Sequence, residues 1–163
     1  MIFARNYLLN IRLSVLKLKF SKLQIVIQLA VLNKEFLIDY RIYYEDTDAG
    51  GVVYYANYLK FFERARTEFL RSLNIFQSTL IKELNLIFVV KKCEIEYKNP
   101  AKLDNLVNIK TIISEIGAAS IKMHQEMFCE EKLLNVLDVE IVCVDSISMK
   151  PKRIPSEILE KIK

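Results

Sequence analysis

Apolar residues recur at Tyr58, Phe61, Phe62, Ala65, Phe69 and Leu73, the spacing of one helical face. No other stretch of the chain carries so long a helical stripe, so it predicts one long buried helix starting near Asn57, a plausible N-cap. The opposite face is charged, with Lys60, Glu63, Arg64, Arg66, Glu68 and Arg71, and Asn74 offers a stop. A short second helix is expected around residues 77–84. Everything after it has strand character: 87–97, 106–116, 120–129 and 133–145 are rich in β-branched and aromatic residues. Residues 36–44, FLIDYRIYY, read as a further strand ahead of the helix. The breaks KNPAKLDN, GAA and EEK are short and carry turn residues, so successive strands are expected to pair as hairpins. The order β-α-β-β-β-β predicts an α+β fold in two layers, an antiparallel sheet around one helix.

Composition narrows the class. A chain of 163 residues with 52% hydrophobic and 27% charged content fits an ordinary globular domain. The net charge of +4 is unevenly placed, because residues 1–34 hold six of the 24 basic side chains and no acid. The remainder is therefore slightly acidic, about −2, and lacks the clustered Lys and Arg of a nucleic-acid surface. Cys93, Cys129 and Cys143 form no C-x-x-C pair, which argues against a disulfide framework or a zinc site and for a reducing compartment. The longest uncharged stretch of the leader, residues 23–33, is shorter than the roughly 20 apolar residues a bilayer span takes. Residues 1–34 read as an appendage, either a basic amphipathic segment or the product of an upstream start, and residues 35–163 as the single folded domain. A cytoplasmic location follows.

The loop EDTDAGG between the first strand and the helix concentrates the candidate chemistry. Two of only three glycines, Gly50 and Gly51, stand side by side there, followed by Val52 and Val53 and then the helix start. Cleaving a thioester needs a group that attacks the carbonyl carbon or activates water, and Asp46 or Asp48 can serve either way. It also needs donors for the developing oxyanion, which the unpaired N–H groups of a helix's first turn supply, here Val53 to Asn57. Gly50 and Gly51 would let a substrate come close. The plain alternative is a polar turn. A calcium loop fails, because Gly50 would occupy the fifth position and Asn57 the twelfth. His124 stands alone in mid-strand, and one histidine makes no metal site.

The run RIYYEDTDAGGVVYYANYLKFFERARTEFLRSLNI resembles, nearly residue for residue, the opening of the YbgC-like and 4-hydroxybenzoyl-CoA thioesterase family. The resemblance continues through FVVKKCEIEYKNPAKLDNLVNI and IVCVDSISMKPKRIP, and so spans about residues 38–158. It implies a hotdog fold, a homodimer or homotetramer, and hydrolysis of an acyl-CoA without a metal or other cofactor, CoA being part of the substrate. The family's catalytic Asp falls on Asp48. Many YbgC-like members have His where this chain has Tyr55, so a His-dependent mechanism is excluded. The hydroxybenzoyl branch has Tyr there and uses its backbone N–H to polarise the thioester carbonyl, a role the resemblance carries to Tyr55. Other hotdog branches place a catalytic acid on the helix, which makes Glu63 a second candidate, against a structural ion pair with Arg66 or Arg64. Lys150, Lys152 and Arg153, after the last strand, are expected to hold the phosphates of CoA.

The acyl preference expected is short-chain or aromatic. Two other classes remain: a non-catalytic module that binds acyl-CoA or acyl carrier, and an envelope partner associated with the Tol-Pal system that touches the inner membrane through the basic leader. A hotdog dehydratase ranks last, since it needs a histidine paired with a carboxylate at the site.

Overall fold

The computed structural model describes residues 35–162; the expectations for the leader fall on 1–34, outside the described residues. Strand β1 spans Phe36–Arg41, helix α1 Asn57–Ser72, helix α2 Gln77–Leu84, β2 Leu86–Tyr97, β3 Leu106–Ile116, β4 Ser120–Cys129, β5 Lys132–Asp145 and helix α3 Ser156–Ile162. Five antiparallel strands form one sheet in the order β1-β3-β4-β5-β2.

The hydrophobic stripe decides how the layers meet. Tyr58, Phe61, Phe62, Ala65, Phe69 and Leu70 of α1 are buried. They meet the alternating inward residues of the sheet, among them Val107, Ile109, Ile121, Met123, Met127 and Leu137, all buried. Two aromatic pairs tie the helix to the first strand, Phe36 with Phe69 at 5.7 Å between ring centroids and Tyr40 with Phe61 at 5.8 Å. Within this apolar layer sits one polar network. Gln125, fully buried on β4, donates to the Phe62 carbonyl at 3.2 Å and to Thr111 Oγ1 at 2.9 Å, and accepts from Arg66 Nη1 at 2.8 Å. Burial pulls the Arg66 pKa below its ordinary value, partly offset by Glu63.

Four expectations are corrected. The first strand ends at Arg41 rather than residue 44; the chain instead makes a 3-10 turn over Tyr44–Asp46, with Tyr43 N–H donating to Asp46 Oδ2 at 2.9 Å. The β2 and β3 strands do not form a hairpin: β2 pairs with β5, and β3 with β1 and β4, so KNPAKLDN carries the chain from one edge of the sheet to the strand next to the other edge. Asn57 is not the cap of α1. Ala56 holds that position, and Asn57 lies in the first turn with its side chain directed back to the loop. Finally, α3 was not foreseen. It lays Ile158 and Ile162 into the core, with Ile154 buried just ahead of it, a spacing of four too short to stand out as a helical signal. Asn74 does end the long helix region, at φ 56°, with its N–H on the Arg71 carbonyl.

Replacing Gln125 by leucine keeps the volume but strands three buried partners, one of them a guanidinium. At fixed protein concentration, urea unfolding should show a loss of about 2–4 kcal/mol; a change under ~0.5 kcal/mol would mean the network contributes nothing.

Candidate active site

The loop between β1 and α1 is built by backbone hydrogen bonds. Thr47 and Val53 bridge, Asp48 N–H donates to the Val52 carbonyl at 2.9 Å, and Gly51 N–H donates to the Asp48 carbonyl at 3.0 Å. This tight turn requires φ of +72° at Gly51, a left-handed conformation that a side chain would strain. Gly50 has a different reason. Its N–H donates to Asp48 Oδ1 at 2.8 Å, and a Cβ added there would lie 3.1 Å from that same oxygen. The glycine pair thus shapes the turn and seats the carboxylate of Asp48.

The two candidate aspartates separate cleanly. Asp46 is buried: its carboxylate takes Tyr43 N–H on Oδ2, and its carbonyl takes Tyr54 N–H at 2.9 Å and Asn57 Nδ2 at 3.0 Å. Asp48 is exposed, and its Oδ2 has no partner among the described residues. It lines a hollow of about 600 Å³ with Tyr44, Thr47, Ala49, Gly51 and Leu103.

Of the donors expected at Val53 to Asn57, three are spent inside the protein. Val53 N–H goes to the Ala101 carbonyl, Tyr54 N–H to Asp46 and Asn57 N–H to the Tyr54 carbonyl at 2.8 Å. Tyr55 and Ala56 N–H have no acceptor among the described residues. The bond to the Tyr54 carbonyl orients the first of these. A trans peptide points its C=O and N–H in opposite directions, so a Tyr54 carbonyl turned towards the helix turns Tyr55 N–H away from it. Tyr55 itself is exposed. Val53 belongs to the core, and Val52 is half-buried with its carbonyl on Asp48.

Two tyrosines not singled out from the sequence complete the surroundings. Tyr58 is buried, accepts Ala101 N–H at 2.9 Å on its hydroxyl, and stacks edge-on with Tyr97 at 5.7 Å. Burial raises its pKa, and the charge of Asp48 adds to that rise. Tyr97 donates to the Tyr55 carbonyl at 3.1 Å. Together with Val53, Tyr55, Lys98, Asn99 and Pro100 they line a second hollow, of about 280 Å³. Tyr58 was legible only as part of the core stripe, and Tyr97 only as a strand end.

The remaining candidates lie elsewhere in the chain. Glu63, exposed on α1, accepts from Thr67 Oγ1 at 2.9 Å rather than pairing with Arg66, whose guanidinium bonds Gln125. Its charge bears on Tyr40 and Arg66, whereas that of Asp48 bears on Tyr54 and Tyr58. Lys152 Nζ donates to the Leu84 carbonyl at 3.0 Å and sits 3.5 Å from Asp145 Oδ2, while the Lys150 carbonyl takes Asp145 N–H. Tyr97 lies opposite Asn135 and Lys150 meets Asp145, so β5 separates them by roughly 30 Å of strand. Lys150 and Lys152 therefore lie by the end of β5 opposite to the one that faces Tyr97. His124 is paired with Asp138 at 2.8 Å. Among the described residues no group of three or more His, Cys, Asp or Glu is placed to hold a metal ion, and no helix is long and apolar enough to cross a membrane.

Comparison with known proteins places this geometry. A family model described as thioesterase-like superfamily matches residues 43–162. Acyl-CoA thioesterase YbgC of Haemophilus influenzae is 48% identical over 128 residues, covering 78% of this chain and 94% of the relative. Acyl-CoA thioester hydrolase YbgC of Escherichia coli is 46% identical over 124 residues, covering 76% and 92%. The crystal structure of a probable thioesterase from Bartonella henselae superposes with a TM-score of 0.72 at 40% identity, covering 74% of this chain and 99% of that one.

The two aspartates should also separate by stability. Asp46→Ala removes the acceptor for Tyr43 N–H and should cost about 1–2 kcal/mol in thermal or urea unfolding, while Asp48→Ala should stay within about 0.5 kcal/mol of the parent. Equal losses would contradict the division of roles.

Proposed function

We propose that this chain, which belongs to the thioesterase-like superfamily and within it to the YbgC group of hotdog proteins, hydrolyses acyl-CoA thioesters with Asp48 as the catalytic carboxylate. The hydrolase activity rests on the relatives; the role of Asp48 rests on one observation. A carboxylate with one oxygen seated by Gly50 N–H and the other without a partner among the described residues stands at the rim of a hollow, a few residues ahead of a helix start that offers unspent N–H groups.

The thioester carbonyl oxygen takes its hydrogen bond from Tyr55 N–H. As the carbonyl carbon becomes tetrahedral, negative charge grows on that oxygen, and a donor already in place at a helix N-terminus stabilises it at no further cost of ordering. Asp48 either takes a proton from the attacking water or attacks the carbon itself to give a mixed anhydride that water then cleaves. In both cases the C–S bond breaks, the CoA sulfur leaves as thiolate and is protonated, and the acyl group departs as a carboxylic acid. The donor is main-chain, so the absence of an imidazole at position 55 leaves the step intact. A short or aromatic acyl group suits the exposed Tyr44 and Leu103 that border the hollow.

The working unit is a homo-oligomer. Strand β2 is an edge, and on its inner side Cys93 is exposed although its cross-strand neighbour Val139 is buried. A core face thus continues onto a strand that its own helix does not cover, and a second copy supplies the cover. Lys150, Lys152 and Arg153 can then serve CoA phosphates only across such a contact. Free cysteines and a CoA substrate suit the cytoplasm.

The test is release of free thiol from a panel of short, long and aromatic acyl-CoAs. Asp48→Asn should lower turnover of the best substrate by about 10²–10⁴-fold with the fold intact, and Tyr55→Phe should keep most of it. Binding of acyl-CoA without thiol release by the parent would instead support an acyl-CoA binding module, and undiminished turnover by Asp48→Asn would reject the carboxylate.

A further inference from the structure

The oxyanion donor proposed above stands in an awkward place. Tyr55 and Ala56 form a turn ahead of α1, outside its regular hydrogen bonding, and Tyr55 is exposed. The peptide before Tyr55 is held by Asn57 N–H on the Tyr54 carbonyl. The peptide after it, between Tyr55 and Ala56, has no such hold from the backbone among the described residues, because neither the Tyr55 carbonyl nor Ala56 N–H takes part in a backbone hydrogen bond. A trans peptide holds its C=O and N–H in one plane, so whatever fixes the Tyr55 carbonyl also fixes Ala56 N–H, the second unspent donor of the turn.

One side chain supplies the missing restraint. Tyr97 Oη donates to the Tyr55 carbonyl at 3.1 Å, across 42 positions of sequence. Its ring lies in a fixed frame: Tyr97 ends β2, in register with the fully buried Asn135 of β5, and its ring meets that of the buried Tyr58 edge-on. Tyr58 in turn accepts Ala101 N–H, whose carbonyl receives Val53 N–H. The sheet edge, the helix and the crossing loop thus converge on one peptide plane. Burial keeps the Tyr97 phenol above its ordinary pKa, so it remains a protonated donor throughout the neutral range.

We infer that Tyr97 is a positioning residue for hydrolysis: its phenol clamps the Tyr55 carbonyl and thereby aims Ala56 N–H, beside Tyr55 N–H, at the thioester oxygen. The inference rests on the hydrolase reading. It differs from a structural role in what it predicts. The bonded carbonyl lies at the surface, where water can replace the phenol, so loss of the hydroxyl leaves the fold nearly as stable. What it loses is a donor held ready before the charge appears, an effect realised in the transition state rather than in substrate binding.

Tyr97→Phe keeps the ring against Tyr58 and removes only the hydroxyl. With thiol release as the readout, kcat should fall about tenfold while KM stays within about twofold, and the melting temperature should move by no more than a few degrees. Should the phenylalanine variant not fold, Tyr97→Met carries the same expectation. A kcat within twofold of the parent overturns the inference, and so does a loss confined to KM. Failure of the hydrolase reading looks different, since the parent protein itself would then release no thiol.

Discussion

The structure depends on a single carbonyl. Asp46 C=O receives two hydrogen bonds, one from the Tyr54 backbone and one from the Asn57 side chain, while the carboxylate of the same residue holds Tyr43 N–H. These bonds join the end of β1 to the start of α1 and fix the span between them. The chain has to reverse there, and a reversal that is half-buried can leave no polar group unpaired without a cost of about 1–3 kcal/mol each. Asp46 settles these groups within one residue. Asp48, two positions on, is exposed and keeps one carboxylate oxygen without a partner among the described residues, beside a hollow.

The contrast sets a scaffold residue beside the carboxylate proposed to react, a few positions apart. Buried polar atoms are pinned by their partners, so a group available to substrate has to be exposed yet still oriented. For Asp48 the orientation comes from Gly50 N–H on one oxygen, which leaves the other open. For Tyr55 N–H it comes from the Tyr54 carbonyl in the same peptide plane, held by Asn57 N–H. Neither needs a rare side chain. A local backbone path that only glycine tolerates at Gly51, together with a helix start, is enough.

Much of this was legible before any coordinates. The stripe on α1 named Tyr58, Phe61, Phe62, Ala65 and Phe69, all buried, because a period of 3.6 leaves little choice of face, but it named Leu73, which is half-buried, and passed over the buried Leu70; the limits of β3, β4 and α2 follow from turn residues on both sides. Pairing was less legible. Short breaks suggested hairpins throughout, but KNPAKLDN carries the chain between strands that end up far apart in the sheet order, since β2 finds its partner in β5. Local turn chemistry says that a chain can reverse, not which strand it will meet. The site was half legible for a similar reason. Asp48 and the helix start are neighbours in sequence, whereas Tyr97 reaches Tyr55 from 42 residues away through strand register, and nothing in EIEYKNP marks that tyrosine out. Asn57 was read as a cap because its type favours caps; its amide instead found the Asp46 carbonyl, a partner eleven residues back.

Tyr55 is where these strands of argument meet. A side chain that performed chemistry would be held by its neighbours, yet this ring is 62% exposed and touches chiefly the ring of Tyr54, at 4.6 Å between centroids. The backbone of the same residue is restrained on both sides. That inversion, a fixed main chain beneath a free side chain, suits a donor whose duty lies in the peptide group, and it leaves the side chain to vary with what the acyl pocket must accommodate. A donor in the main chain would need geometry, and the geometry of this loop is set by residues such as Asp46, Asn57 and Gly51. A change at position 55 is therefore expected to alter which acyl-CoA is preferred more readily than whether one is hydrolysed.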